Sequence, residues 1–292
     1  MYELNHILNN TYYFSGPTKI GLYRLNDTDV CIIDTGIEER VGKRILKTIN
    51  ENGWSLKFII NTHAHADHVG GNAYIQGETG CKIFANTIEA CFTEHPFLNS
   101  CFVYGAYSPK ELRKKFMLAQ KSIVTPIADA KLPEGFEIID LSGHSSQMIG
   151  VRTPDDVLFL ADSIVSREII EKYTVTYIFN VEQYIATLER VKKMSARLFV
   201  PAHADVCEDI SALAEHNIKV TNGIAETILS MCEKPISFEN LLKKVFEKYS
   251  LRLDHEQYAL IGGTVKSYLT YLSDKELLEN RFEDGVLLFF KV

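Results

Sequence analysis

No run in this sequence approaches the roughly 18 consecutive apolar residues of a membrane span, and its start, MYELNHILNN, lacks a basic stretch followed by an apolar one. Neither a membrane protein nor a secreted one is expected, and the chain reads as cytoplasmic. No CxxC pair occurs among the six cysteines (Cys31, Cys81, Cys91, Cys101, Cys207, Cys232), and several of them lie inside apolar runs. Reduced core thiols fit that placement better than a disulfide framework does. Positive charge is not in excess either. The formal net charge is −7 with both signs interspersed, which leaves no electrostatic footprint for a nucleic-acid backbone. Internal repeats and low-complexity tracts are absent.

What is present is a globular composition, 46% hydrophobic over 292 residues, enough for one large domain or a main domain with a small appendage. Short runs rich in β-branched and aromatic residues, bounded by turn residues, predict strands at 18–25, 29–36, 56–61, 81–86, 136–142, 149–153, 156–162 and 197–203. Helical periodicity lies between some of them. Over 38–53, Val41, Ile45, Leu46 and Ile49 share one face, and over 181–194 Ile185, Leu188 and Val191 do the same. The result is an α/β chain with stacked sheets and helices outside.

Residues 94–130 break the rhythm, being aromatic-rich with three prolines, and read as a long insertion with one helix at PKELRKKFMLAQ. Insertions of that length are often lids or binding loops. From about residue 206 the pattern turns helical, with Ser237 as an N-cap, and ends in two strand-like pieces around the turn EDG. That order resembles a winged-helix unit. Its third-helix region offers few cations (Lys266, Lys275), so packing or homodimerisation is the expected role and DNA binding is not. The division is thus a main domain, 1–205, and a helical, winged-helix-like domain, 206–292.

The stretch IINTHAHADHVGGN, residues 59–72, places His63, His65, Asp67 and His68 within six positions. With 9 histidines in the chain, H-x-H-x-D-H has a chance expectation of about 4 in ten thousand. Imidazole nitrogen and carboxylate oxygen are ligands Zn²⁺ uses, at about 2.0–2.2 Å and from several directions. On an extended segment leaving a strand, His63 and His65 point the same way, while Asp67 and His68 enter the first turn of a helix and point back. Gly70 and Gly71 let the backbone pass closely beneath. Four ligands on one loop do not fill two sites. His144, Asp162 and His203 follow or end further predicted strands and complete the set.

In content and order these motifs resemble the metallo-β-lactamase-fold hydrolase superfamily over about residues 1–205, and less specifically its glyoxalase II-like and endoribonuclease-like branch. The resemblance implies a four-layer αββα fold. It also implies one metal on His63, His65 and His144, a second on Asp67, His68 and His203, Asp162 bridging, and Asp34 orienting the ligand loop without touching metal. Two departures stand out. GHSSQ (143–147) replaces the usual threonine, proline and glycine after the G-H pair, and PAHA (201–204) lacks the common glycine before the last histidine.

By that resemblance two Zn²⁺ ions, with iron or manganese as alternatives, hold a bridging hydroxide that attacks an ester-like bond of a small molecule: a thioester, lactone or related acyl compound. Asp67 orients it and takes its proton. Tyr104, Tyr107, His95, Tyr173 and Tyr177 are the candidates for protonating the leaving group. His216, His255 and Cys207 read as structural or surface residues. RNA or phosphodiester cleavage is the first alternative, so nucleic acid is kept as a partner that is not favoured. An iron-dependent sulfur dioxygenase is the second, and a non-catalytic metal-sensing winged-helix regulator the third. A di-iron oxygen reductase fits less well, since glutamate usually stands where His65 does. β-Lactam turnover is not expected in a chain without an export signal.

Overall fold

The computed structural model describes residues 2–292. The chain runs through β1 (Glu3–Leu8), β2 (Thr11–Ser15), β3 (Ile20–Arg24), β4 (Asp29–Ile33), α1 (Glu39–Glu51), β5 (Ser55–Ile60), α2 (Ala66–Val69), α3 (Asn72–Thr79), β6 (Lys82–Ala85), α4 (Thr87–Glu94), α5 (Phe97–Tyr104) and β7 (Thr125–Pro126). It continues through β8 (Glu137–Asp140), β9 (Ile149–Arg152), β10 (Val157–Val165), α6 (Arg167–Tyr173), α7 (Val181–Val191), β11 (Leu198–His203), α8 (Ser211–Met231), β12 (Ile236–Ser237), α9 (Phe238–Lys248), α10 (His255–Asp274), β13 (Leu278–Glu283) and β14 (Val286–Lys291).

Strands β1 to β7 form one sheet in sequence order, antiparallel as far as β4 and parallel from β4 to β7. A second sheet has the order β11-β10-β9-β8. Adjacent apolar residues within a strand point to opposite faces, and this alternation builds the layers. Ile33, Ile60, Phe159 and Val200 meet between the two sheets. Their neighbours Ile32 and Ile59 face outward onto Val41, Ile45 and Ile49 of α1 and Ile75 of α3. Leu158, Leu160 and Phe199 face the other way, onto α7 and α8. Helix, sheet, sheet, helix is the four-layer order that the resemblance implies.

All eight predicted strands form, and so do helices at both predicted stretches. The hairpin β1–β2 lay outside that reading, because β1 is an edge strand with no fully buried residue and thus no apolar run. The helix expected at PKELRKKFMLAQ is not there. Only a short 3₁₀ turn, Lys110–Leu112, forms, and the helix of this region is α5 instead. Within that stretch only Leu112 is buried, while Arg113, Lys114 and Lys115 are consecutive and exposed. A short helix without an apolar face to bury does not hold in water.

In the C-terminal region α8, α9 and α10 lead into the expected hairpin β13–β14, to which β12 adds a third strand. Ser237 caps α9, its hydroxyl accepting from the Asn240 amide at 3.4 Å. One buried cluster runs from Met148, Leu160 and Val181 into Leu241, Val265 and Tyr268, so these helices share the core of the second sheet. No helix among the described residues is long and apolar enough to cross a membrane.

Candidate metal centre

Seven donor side chains converge where strand ends meet. The loop after β5 delivers His63 and His65, and the single turn α2 delivers Asp67 and His68. The helix expected from Asp67 onward is thus split, α2 ending at Gly70 and α3 starting at Asn72. A Cβ on Gly70 would lie 2.1 Å from the Ile37 carbonyl carbon, and one on Gly71 2.6 Å from the Thr35 oxygen. Only glycine permits this crossing of the two chain segments.

His144 follows β8, and His203 ends β11. Asp162 lies within β10, which continues to Val165 instead of ending at the aspartate. The strand's register slips on both sides of Ala161, which has φ of +48°. Bulges of this kind re-aim a side chain, and here the next residue is Asp162.

The donors fall into two groups, His63, His65 and His144, and Asp67, His68, Asp162 and His203, with the donor atoms of each within 4.8 Å of one another. His65 Nδ1 lies 3.1 Å from His63 Nε2 and 3.0 Å from His144 Nε2. Asp162 joins the groups. Its Oδ2 lies 3.4 Å from both His144 Nε2 and His203 Nε2, and its Oδ1 lies 3.0 Å from His68 Nε2. Asp67 Oδ2 lies 3.4 Å from His203 Nε2 and 3.6 Å from His68 Nε2.

The outward-facing nitrogens determine what the inward ones offer. His144 Nδ1 donates to the Tyr177 carbonyl (3.1 Å), His203 Nδ1 to the Pro17 carbonyl (2.8 Å) and His68 Nδ1 to Asp34 Oδ2 (2.8 Å). His63 Nδ1 meets the Thr62 hydroxyl at 3.1 Å, which itself donates to Asp34 Oδ2 at 2.7 Å. In the neutral ring a proton on the outer nitrogen leaves a lone pair inside. Asp34 and Thr62 thereby orient the set from behind, as carboxylates behind metal-ligating histidines do.

Burial pushes His63 and His65 down and holds His144 down at about 4. His68 and His203 go the other way: burial opposes their charge, but the Asp162 and Asp67 carboxylates overcome it, with Asp34 also acting on His68. His203 is pushed up to about 10 and His68 lies well above the usual histidine range. Burial likewise opposes the charge of Asp67 and Asp162, yet His68 and His203 hold both carboxyls below the ordinary range.

These residues fit a pair of metal cations. Three imidazole nitrogens of the first group face one another within about one hydrogen-bond length, and a single proton on His65 Nδ1 cannot serve both neighbours fully, whereas a cation serves all three. His68 Nε2 and Asp162 Oδ1 are fully buried and 3.0 Å apart, yet neither makes an aligned hydrogen bond. Orphaned buried polar atoms of this kind call for an ion.

The family model described as "Metallo-beta-lactamase superfamily" matches residues 15–203. The chain belongs to the metallo-beta-lactamase superfamily. It is a metal-dependent hydrolase. Hydroxyacylglutathione hydrolase of Prochlorococcus marinus (strain MIT 9301) is 26% identical over 221 residues, 74% of this chain and 76% of that protein. The same enzyme of strain MIT 9312 is 24% identical over 234 residues, 76% and 82% of the two chains. Both support the glyoxalase II-like branch. In fold, a beta-lactamase domain protein from Burkholderia ambifaria superposes with a TM-score of 0.77 at 17% identity, covering 99% of this chain and 94% of that one. A metallo-beta-lactamase family protein from Thermus thermophilus gives 0.70 at 16% identity, with 100% and 98% covered.

Within this superfamily the GHSSQ departure has a structural counterpart that the sequence reading missed. Glu89, buried in α4, accepts from the Ala64 amide (2.9 Å), the Ser145 hydroxyl (2.8 Å) and the Gln147 amide (2.9 Å). It ties the His63–His65 loop to the His144 loop. A lone glutamate in a helix carries no sequence signal for such a role. Of the proposed proton donors only Tyr177 borders the metal centre, its ring 5.5 Å from that of His65. Tyr104, Tyr107 and Tyr173 are exposed, and His95 closes α4. Cys207 pairs with Phe199 through its backbone and packs against the core, His216 is partly buried on α8, and His255 is exposed at the start of α10.

Proposed function

We propose that the chain hydrolyses an ester-like bond of a small molecule, a thioester by first choice, at a dinuclear zinc centre. His63, His65 and His144 would hold one ion, Asp67, His68 and His203 the other, and Asp162 both. The observation that carries this reading is the position of Asp162, whose carboxylate reaches donors of both groups. Bound there, two zinc ions would supply Lewis acidity toward the substrate carbonyl and acidify water near neutral pH.

The chain's own groups do the rest. Asp67 Oδ2 accepts from the Thr18 hydroxyl at 2.8 Å, and no hydrogen bond among the described residues reaches Oδ1. That free oxygen orients the attacking water and accepts its proton. Ser145 donates its hydroxyl to Glu89 and so helps to fix the His144 loop against α4. Tyr177, pushed up to about 12 by burial and by Glu89, keeps its proton at neutral pH and so has an O–H to donate. In this reading residues 1–205 carry the donors, and the winged-helix-like residues 206–292 close the cavity through Glu256 and Leu260 of α10. The name of the Prochlorococcus relatives, hydroxyacylglutathione hydrolase, supports the choice of bond, since an acyl group on a thiol is a thioester.

The test is hydrolysis of a panel of thioesters, lactones, phosphodiesters and β-lactams by zinc-loaded protein, with His63→Ala as the blank. Thioester turnover, lost on the order of 100-fold in Asp162→Asn, is the expected result. Turnover of only phosphodiesters would overturn the choice of bond.

A further inference from the structure

The metal centre opens into a cavity of about 410 Å³ that the ligand motif does not describe. Its wall away from the metals is aromatic and aliphatic. Phe102 of α5 packs against Phe92 and Phe179, each at 5.5 Å between ring centres, and Phe116, Met117 and Leu260 complete that side. Phe102 and Phe116 are each about half exposed, at 51% and 57%, so apolar surface is offered to whatever enters.

No lysine or arginine lines the cavity among the described residues. Cations on the insertion are engaged or elsewhere: Lys115 pairs with Glu38 at 3.2 Å, and Arg113 stacks on Tyr107 and donates to the Ser108 carbonyl. Lys110 and Lys114 are exposed outside it. The wall carries acids instead. Apart from the proposed ligands these are Glu89, whose oxygens are committed to the two loops, and Glu256, which makes no hydrogen bond or ion pair among the described residues.

We infer that this cavity selects substrates whose portion remote from the scissile bond is uncharged and apolar, and rejects those with a carboxylate there. The inference rests on the hydrolase reading above and narrows its substrate class. An anionic group entering would lose water without gaining a counter-ion and would meet Glu256 as a like charge. A glutathione thioester, whose leaving group carries two carboxylates against a single ammonium, would meet the same penalty. An aromatic or branched group instead covers Phe102 and Phe116 and gains from their desolvation. The acidic wall equally disfavours a phosphodiester backbone.

The test uses a matched pair differing by one charge: the S-acetyl ester of 2-phenylethanethiol and its para-carboxylate. Zinc-loaded full-length protein is expected to favour the neutral ester by at least about tenfold in kcat/KM, chiefly through KM. Phe102→Lys, at a half-exposed position where the fold tolerates it, should raise turnover of the carboxylated ester and lower that of the neutral one. Glu256→Gln should narrow the gap. Binding of the two corresponding methyl thioethers, measured by calorimetry, separates the readings. If neither ester is cleaved but the neutral thioether binds more tightly, the hydrolase reading falls and the selectivity stands. Equal or tighter binding of the carboxylated thioether overturns the inference whatever the esters do.

Discussion

Asp34 and His68 meet at 2.8 Å, both buried, the carboxylate accepting from the imidazole Nδ1 behind the metal centre. Asp34 also accepts from the Thr62 amide and hydroxyl at 2.8 and 2.7 Å, and its backbone has φ of +65°, a region costly for a residue with a Cβ. Strain there is retained because one carboxylate fixes His68 and, through Thr62, His63. Asp34→Asn puts an amide nitrogen against one of these donors. Metal affinity should fall roughly 10–100-fold with the secondary structure intact. Chelator competition alongside circular dichroism checks this; unchanged affinity would show that Asp34 does not orient the ligands.

Metal loading should release protons unequally. His144, held at about 4, and its partners His63 and His65 are neutral at pH 7, so a cation on that group displaces no proton. His203, at about 10, and His68 are protonated in the metal-free chain, and a cation must displace those protons. Affinity at the second group should therefore rise with pH up to about 10, while that of the first stays flat at neutral pH and above. The sign for the metal-free fold is opposite: the raised pKa of His203 stabilises it fully below the unfolded value of about 6.5, and that contribution is lost as pH rises through about 10. Zinc titrations in two buffers of different ionisation enthalpy measure the proton count, and two steps with equal release would contradict the assignment.

Gly143 precedes His144 with φ of +132°, and a Cβ there would lie 2.4 Å from the Tyr184 amide nitrogen at the start of α7. Gly143→Ala should cost about 3 kcal/mol of stability and displace His144. A thermal melt and the zinc content report the two effects. A stable variant holding two zinc ions would mean that the loop relaxes freely.

Tyr177→Phe should discriminate between leaving groups. A thiol of pKa near 8.5 departs as thiolate without help, whereas an alkoxide needs a proton at once. Thioester turnover should stay within about threefold and alkyl-ester turnover should drop at least tenfold. Equal losses for both would indicate that the hydroxyl holds the geometry of the site and does not protonate the leaving group; the Tyr177 carbonyl that accepts from His144 Nδ1 is kept in this variant.

Glu89→Gln replaces a carboxylate that receives three donors from two ligand loops. Its amide nitrogen would oppose an N–H or O–H, so the loops should separate. The expected result is weakened zinc binding at the His63, His65 and His144 group with the second group retained. Loss of both ions together would point to a general folding defect.

The sequence alone pointed to the layers and to the seven side chains that converge at the candidate site. Alternating apolar residues such as Ile32 and Ile33, or Leu158 and Phe159, split across two faces by backbone geometry, and H-x-H-x-D-H is too rare to be accidental. Those signals are local, and local periodicity is legible in one dimension. The tertiary structure decided what local signals do not carry. It kept β10 running past Asp162 through a bulge, placed Glu89 between loops more than 50 residues apart, and left the expected helix at PKELRKKFMLAQ unformed because Leu112 alone of its residues is buried. It also built the cavity from α5 and the segment after it on one side and α10 on the other, about 140 residues or more apart in the chain. Whether a phenylalanine faces solvent, core or substrate depends on what packs across from it, and only the folded chain brings those partners together.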